Sequence, residues 1–369
     1  MTALTNLKVI DLSRILAGPF ASQTLGDMGA QVLKVEHPMG DDTRRWGPPF
    51  VERDDGSMDA AYYFCCNRNK TSICVDFAQA DERQRLIELI ADADVLIENY
   101  KVGGLAQYGL DDATMRLLNP RLIYCSITGF GQTGPYKNRA GYDALIQGMG
   151  GLMSITGEAD GAPQKVGVAV VDLMTGLYAT TAILAALHHR DTTGIGQYID
   201  IALFDVQAAM LANQAATYLM SGEVPMRKGS AHPSIAPYQP IAVADGFVML
   251  AVGNDKQFAG LCRAADCVDL MADERFASNA ARVSHRALLE QILSAKMANK
   301  NISEWIILGE AHGFPCGPIN TIDRVFDDEQ LLSRNMLVTN ADGTRMVGNP
   351  IKFSATPIVD YATPPTLSF

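Results

Sequence analysis

The sequence predicts an α/β protein with a doubly wound, mostly parallel, Rossmann-like sheet in a large domain and a small α+β domain after it. Three observations carry this expectation. Short apolar runs rich in β-branched residues alternate with helical patterns through five units, as βαβ crossovers require. A stretch dense in Gly and Pro at about 222–240 then breaks the alternation, and a hairpin pattern follows it. A chain of 369 residues is also too long for one compact core. The expected division is 1–222 for the large domain, 223–325 for linker and small domain, and 326–369 for an extended, Pro-containing segment that packs back onto the large domain.

Taken in order, residues 7–13 read as the first strand, Ala17-Gly18-Pro19-Phe20 as a tight turn opening a helix, and 31–36 as the second strand. That turn lacks the Gly-x-Gly-x-x-Gly pattern, and Glu36 alone does not establish a dinucleotide site, so a nicotinamide cofactor is not expected. Residues 38–60, polar and rich in Gly, Pro and Asp, read as a long surface loop of the kind that carries function. The donors of 66–72 precede a strand at 72–76, and a phosphate-binding turn and a solvated loop fit them equally. A helix at 81–91 feeds a strand at 94–99, which puts Asn99-Tyr100-Lys101 at a carboxyl strand end, where open α/β sheets bind ligands.

A strand at 121–128 leads into Gly129-Phe130-Gly131-Gln132-Thr133-Gly134-Pro135, and Ala140-Gly141-Tyr142-Asp143 opens another helix. Residues 148–157 read as a flexible link. A long helix is expected at 173–190, a strand at 197–201 and a helix to about 220. Beyond the linker, 241–252 reads as a hairpin turning at Ala244-Asp245-Gly246, with helices near 255–264, 286–299 and 302–311.

Composition bounds the function. Apolar residues make up 48% of the chain and charged residues 19%, as in an ordinary globular protein. A net charge of −11 argues against a nucleic-acid surface and leaves room for a local basic pocket. No basic-then-apolar leader stands at the start and no apolar run approaches the ~20 residues that span a bilayer, so no membrane partner and a cytoplasmic location are expected. Seven cysteines without ligand spacing read as reduced, mostly buried thiols, and no metal site is expected.

The stretch 167–176 runs from an apolar segment into the long Ala- and Leu-rich helix, with Asp172 at the turn between them. A helix start stabilises an anion, so this carboxylate is expected to stay ionised. By local chemistry it is either a nucleophile or a capping residue.

Together, Val9-Ile-Asp-Leu-Ser, Leu25-Gly-Asp-Met-Gly-Ala, Asn69-Lys70, the 94–99 strand, 129–135, Gly141-Tyr142-Asp143 and the block 167–205 resemble the class III CoA-transferases. That family includes formyl-CoA transferase and the α-methylacyl-CoA racemases. The resemblance implies an interlocked homodimer whose active site lies between the large domain of one subunit and the small domain of the other. It implies that coenzyme A or an acyl-CoA is a substrate, with no permanently bound cofactor. It places the nucleophile on Asp172. Coenzyme contacts fall on Ile15, Leu16, Ala17, His37, Cys66, Asn67, Asn69, Lys70, Asn99, Tyr100, Lys101, Arg139 and Tyr142. The chain departs from formyl-CoA transferase at Leu16 and Gln107, where that enzyme has a glutamine and an arginine, and its glycine-rich flap is reduced here to Val252-Gly253-Asn254.

The similar racemases use a Gly-His-Asp segment where this chain has Gly141-Tyr142-Asp143, and a tyrosine of pKa near ~10 is a poor base at neutral pH. Transfer is therefore expected over racemisation, with a non-catalytic CoA-binding scaffold as a third reading. The segments 141–144, 151–157 and 231–238 look most like the branch that transfers CoA from succinyl-CoA to small dicarboxylates such as glutarate. On that reading Arg44, Arg45 or His232 binds the distal carboxylate, and Trp46, Tyr142, Asp143 and Gly253 complete the substrate pocket.

Overall fold

The protein is described by a computed structural model over residues 2–368. Its centre is a six-stranded parallel sheet. In chain order the strands are β1 (Lys8–Asp11), β2 (Gln31–Glu36), β3 (Lys70–Cys74), β4 (Val95–Glu98), β5 (Ile123–Thr128) and β6 (Tyr198–Ala202). Their spatial order is β3-β2-β1-β4-β5-β6. Two βαβ halves therefore meet between β1 and β4, and the crevice at the carboxyl ends of those two strands is where such sheets take ligands.

The helices of this unit include α1 (Ala17–Asp27), α2 (Ala80–Ala91), α3 (Asp112–Leu118), α4 (Asp143–Met149), α5 (Val170–Thr193) and α6 (Leu203–Met210). Alternate residues of each strand face opposite sides, so neighbours in sequence enter different cores. Val9, Val95 and Ile123 pack with Leu25 of α1 and Ile183 of α5. Ile10, Leu96 and Tyr124 pack on the other face with Ile90 of α2 and Met115 of α3.

Several boundaries differ from the sequence reading. β3 pairs Lys70 with Val32 and spans Lys70–Cys74, two residues earlier than expected, and the Lys70 ammonium is buried against Asp11. The 38–60 stretch is not irregular throughout. Asp41 caps a 3-10 turn at Asp42–Arg45 by accepting from the Thr43 amide, and Phe50–Glu52 pairs with Met58–Ala60. α5 spans 24 residues and is long and apolar enough to cross a membrane, which corrects the expectation that no such run exists. Here it packs on α1, β5, β6 and α6, and its Arg190 pairs with Asp94 at 2.8 Å.

The chain forms two compact units. The first runs to Met153, resumes over Lys165–Glu223 and closes with the segment from Glu329 onward. The second comprises Ser154–Gln164 and Val224–Asp328. The sequence reading left 154–164 in the large domain. Its turn instead belongs with the second unit because Arg227 donates to the carbonyls of Glu158 and Gly161, and Gly229 N–H to that of Gly157.

In the second unit β7 (Tyr238–Val243), β8 (Gly246–Ala251) and β9 (Cys316–Pro318) form an antiparallel sheet. Beside it, Phe258, Leu289 and Trp305 of three helices pack with Ile241 and Val248. β9 is too short to leave a periodic signal. In the first unit the C-terminal segment is sewn on by polar contacts: Asn349 to Asp27 at 2.8 Å, Asn69 to the backbone of Ala362, and the Cys74 amide to Ser368 O.

Candidate active site

The crevice at the β1/β4 switch point is a cleft of about 170 Å³. One wall is the turn from β1 into α1, with Arg14, Ile15, Leu16 and Ala17. Another is Asn99-Tyr100-Lys101 beyond β4. The third is the paired loops Thr128–Gly129 and 137–142, and Asp172 also lines the cleft. Those loops touch because neither has a side chain at the crossing: a Cβ on Gly129 would lie 2.6 Å from the Gly141 Cα.

Asp172 does not cap α5. The helix starts three residues before the sequence pattern, at Val170, which places Asp172 inside the first turn with 9% exposure. The cap comes from elsewhere in the chain. Asp143 Oδ1 accepts the amide protons of Val171 at 2.9 Å and Asp172 at 3.4 Å. Its Oδ2 accepts from Gln147 Nε2 at 2.6 Å, and Gln147 Oε1 in turn accepts from the Val166 amide at 2.9 Å. Asp143 was expected to meet the substrate; its oxygens are instead engaged in fixing the helix that carries Asp172.

This arrangement also corrects the expected ionisation. Burial, and after it the charge of Asp143, push the Asp172 pKa up to about 7. Desolvation and a like charge thus outweigh the helix dipole, whose effect in the first turn is only ~0.3–1 kcal/mol in ordinary cases. The group is poised between nucleophilic carboxylate and neutral acid at physiological pH.

Of the other expected site residues, Ile15, Leu16, Ala17, Asn99, Tyr100, Lys101, Arg139 and Tyr142 line this cleft with Asp172. Tyr142 is 64% exposed. His37 lies in an adjoining hollow that shares Arg14, Asp42 and Tyr100 with the cleft. Four cations, Arg14, Lys101, Lys137 and Arg139, line the cleft of a protein whose net charge is −11. Arg14 was missed from sequence, although it is the residue just before the turn that was singled out.

Other expectations are overturned. Cys66, Asn67 and Lys70 are buried beneath the β1–α1 turn rather than open to a ligand. Lys70 Nζ is spent on Asp11, Pro19 O and Asn67 Oδ1 at 2.8–3.0 Å. Asn69 is bonded to Asp27 and to the C-terminal segment, and with Lys70 it borders a separate cavity of about 860 Å³. Arg44 cannot bind a distal carboxylate, because it is buried between Glu36 at 2.7 Å and Asp59 at 2.9 Å, with its guanidinium over the Tyr63 ring. Arg45 is held by Asp42 and Met39 O.

Trp46 does not line the cleft. It stacks edge-on against Tyr62, ring centroids 5.3 Å apart. Burial, then the charges of Cys65, Asp172, Cys66 and Asp143, raise the Tyr62 phenol well above its usual range, so Tyr62 stands within electrostatic reach of the aspartate. His232 and Gly253 belong to the second unit, where His232 Nδ1 accepts from the Ser234 amide and Gly253 N–H donates to Gln257 Oε1.

A buried carboxylate in a switch-point cleft, with cations gathered along that cleft, is the arrangement of an enzyme that brings an anionic substrate to a nucleophile or proton carrier. Comparison with known proteins sharpens this. Residues 4–369 match the model of CoA-transferase family III. The succinate–glutarate CoA-transferase of Agrobacterium fabrum is 52% identical over 361 residues, covering 96% of this chain and 90% of its own. The human succinyl-CoA:glutarate CoA-transferase is 42% identical, covering 99% and 83%. The crystal structure of a CAIB/BAIF family protein from Brucella suis superimposes with a TM-score of 0.91 at 50% identity, covering 99% and 96%. The chain belongs to CoA-transferase family III, and it is a CoA-transferase.

Proposed function

We propose that this enzyme moves CoA from succinyl-CoA to a small dicarboxylate such as glutarate through a covalent intermediate on Asp172. The observation that carries the reading is the poised, buried Asp172 carboxylate lining a cation-lined cleft. The 52% identity to a succinate–glutarate CoA-transferase supports the substrate class. An Asp172 oxygen attacks the thioester carbonyl, the C–S bond breaks, and CoA thiolate leaves a mixed anhydride. The thiolate then attacks the aspartyl carbonyl, succinate departs, and CoA is held as an aspartyl thioester. The acceptor carboxylate attacks that carbonyl, and the same two steps in reverse release the new acyl-CoA and restore Asp172. Each exchange between weak nucleophiles is thereby divided into easier ones, and the thioester energy is conserved without an external energy source.

We further infer an interlocked homodimer acting in the cytoplasm, the assembly implied by the family resemblance. Lys101, Lys137 and Arg139 serve the coenzyme phosphates in this reading, as point charges and bidentate donors do elsewhere.

Intact mass after incubation with succinyl-CoA tests the reading. A CoA-sized adduct, removed by hydroxylamine and absent from Asp172→Asn, is expected. Deuterium exchange at the α-carbon of a 2-methylacyl-CoA without an adduct would refute it in favour of racemisation. CoA binding with neither signal across a panel of acyl-CoAs would leave a scaffold, and a carboxylate screen identifies the acceptor.

A further inference from the structure

Ile15, in the turn between β1 and α1, has φ 72°, in the left-handed region. A β-branched side chain there is an outlier, and such strain persists only where surrounding groups over-determine it. Here the backbone is gripped residue by residue. Asn99 takes Arg14 at both ends, accepting from its amide at 2.9 Å and donating to its carbonyl at 2.7 Å. Both Asp41 oxygens accept from the Ile15 amide, at 3.3 and 3.4 Å, and Cys66 Sγ donates to Ile15 O at 3.5 Å. Lys34 Nζ donates to Ser13 O at 3.0 Å.

The grip is itself fixed from below. Asp41 accepts from Lys34 Nζ at 3.0 Å and from the Thr43 amide and hydroxyl at 3.0 and 2.8 Å. Its own amide donates to Glu36 Oε2 at 2.8 Å. The Lys34 and Asp41 side chains are each 1% exposed; they border the adjoining hollow with His37 and do not line the cleft that Arg14, Ile15 and Leu16 do. Burial works against the Lys34 charge, but Asp41, Asp11 and Glu36 outweigh it and hold the ammonium above its usual range. A buried ion pair is weak evidence of a gain in stability, since an apolar pair of similar volume often serves as well or better.

We propose that the buried Lys34–Asp41 pair is a positioning device that holds Ile15 in its left-handed conformation and so presents the Arg14–Leu16 turn to the coenzyme. In this proposal Lys34 and Asp41 act on the coenzyme through the turn rather than by contact. The inference rests on the coenzyme reading of the cleft given above, and its test separates the two. If loss of the Asp41 charge lets the turn relax, the binding-competent population falls and the apparent Kd rises by the same factor. A glycine takes positive and negative φ about equally, so at position 15 it would make the pair nearly dispensable.

The experiment measures CoA binding by titration calorimetry for wild type, Asp41→Asn, Ile15→Gly and the double variant, with thermal unfolding to confirm folding. Asp41→Asn is expected to weaken CoA binding about tenfold in the wild-type background and only about twofold in the Ile15→Gly background. Equal losses in both backgrounds would show Asp41 to be general support for the fold and overturn the proposal, as would no loss in either. Should Asp41→Asn fail to fold, Thr43→Val removes one hydrogen bond to the same carboxylate. The same inequality between backgrounds is then expected at smaller amplitude, and its absence would overturn the proposal equally. Failure of the wild type to bind CoA would sink the coenzyme reading, and this inference with it.

Discussion

Replacing Asp172 by Asn should stabilise the protein at pH 8 and scarcely change it at pH 4. The side chain has an ordinary pKa of 3.8 and is raised to about 7 in the folded protein, by burial first and by Asp143 second. Between those two values the folded state binds the proton that the unfolded state has released. Stability contributed by this group therefore falls as pH rises through that window, by about 1.4 kcal/mol per unit. Three units give about 4 kcal/mol as an upper figure, and local relaxation around a charged Asp172 brings it to ~2–4 kcal/mol. Asparagine keeps the shape and carries no charge, so it escapes the penalty. Glu98, which burial pushes up to about 7 as well, slopes the same way in both proteins and cancels from the difference.

Thermal unfolding of both proteins at pH 4, 6 and 8 reads this directly. The variant's melting temperature should exceed the wild type's by about 5 °C or more at pH 8 and by almost nothing at pH 4. A gap that does not change with pH would refute the raised pKa, and with it the account of burial and Asp143 acting on the nucleophile.

Four other outcomes follow from the same geometry. The carboxylate is the attacking form, so kcat should fall as pH drops below about 7, in steady-state assays on succinyl-CoA. Asp143→Ala removes the like charge and should move that inflection to lower pH, while kcat drops by about 10²-fold because the start of α5 loses its cap; an unmoved inflection would contradict this. Arg44→Ala leaves Glu36 and Asp59 buried without their partner and should cost about 3–5 kcal/mol in urea unfolding; a stable variant altered only in acceptor KM would show Arg44 to be a substrate ligand after all. Lys137→Ala and Arg139→Ala should raise the KM for acyl-CoA with little change in kcat. The effect should shrink as ionic strength rises, and a change confined to kcat would count against phosphate binding.

Much of the fold was legible because it rests on local pattern. The β-branched runs at 31–36 and 94–99 and the helix at 255–264 fall where periodicity places them. The turns after β1 and β4 could be assigned to the ligand end because any parallel strand presents its carboxyl end there. Misreadings came from charged residues with buried partners. Arg44, Lys70 and Asn69 read as ligand donors because polar, basic loops suit anions, but Glu36, Asp59, Asp11 and the C-terminal segment had already claimed them. Partners up to 321 residues away leave no trace in a local window.

Asp172 divides along the same line. Sequence alone placed one carboxylate where an apolar stretch enters a long helix, because that depends only on neighbours in the chain. Tertiary structure decided the rest. Asp143, 29 residues earlier, supplies the cap that frees Asp172 from capping and also the charge that helps hold its proton. Burial within the β1/β4 crevice supplies the larger share of that shift. Capping and titration depend on which groups meet in space and on how much water remains there, and only the folded chain fixes both.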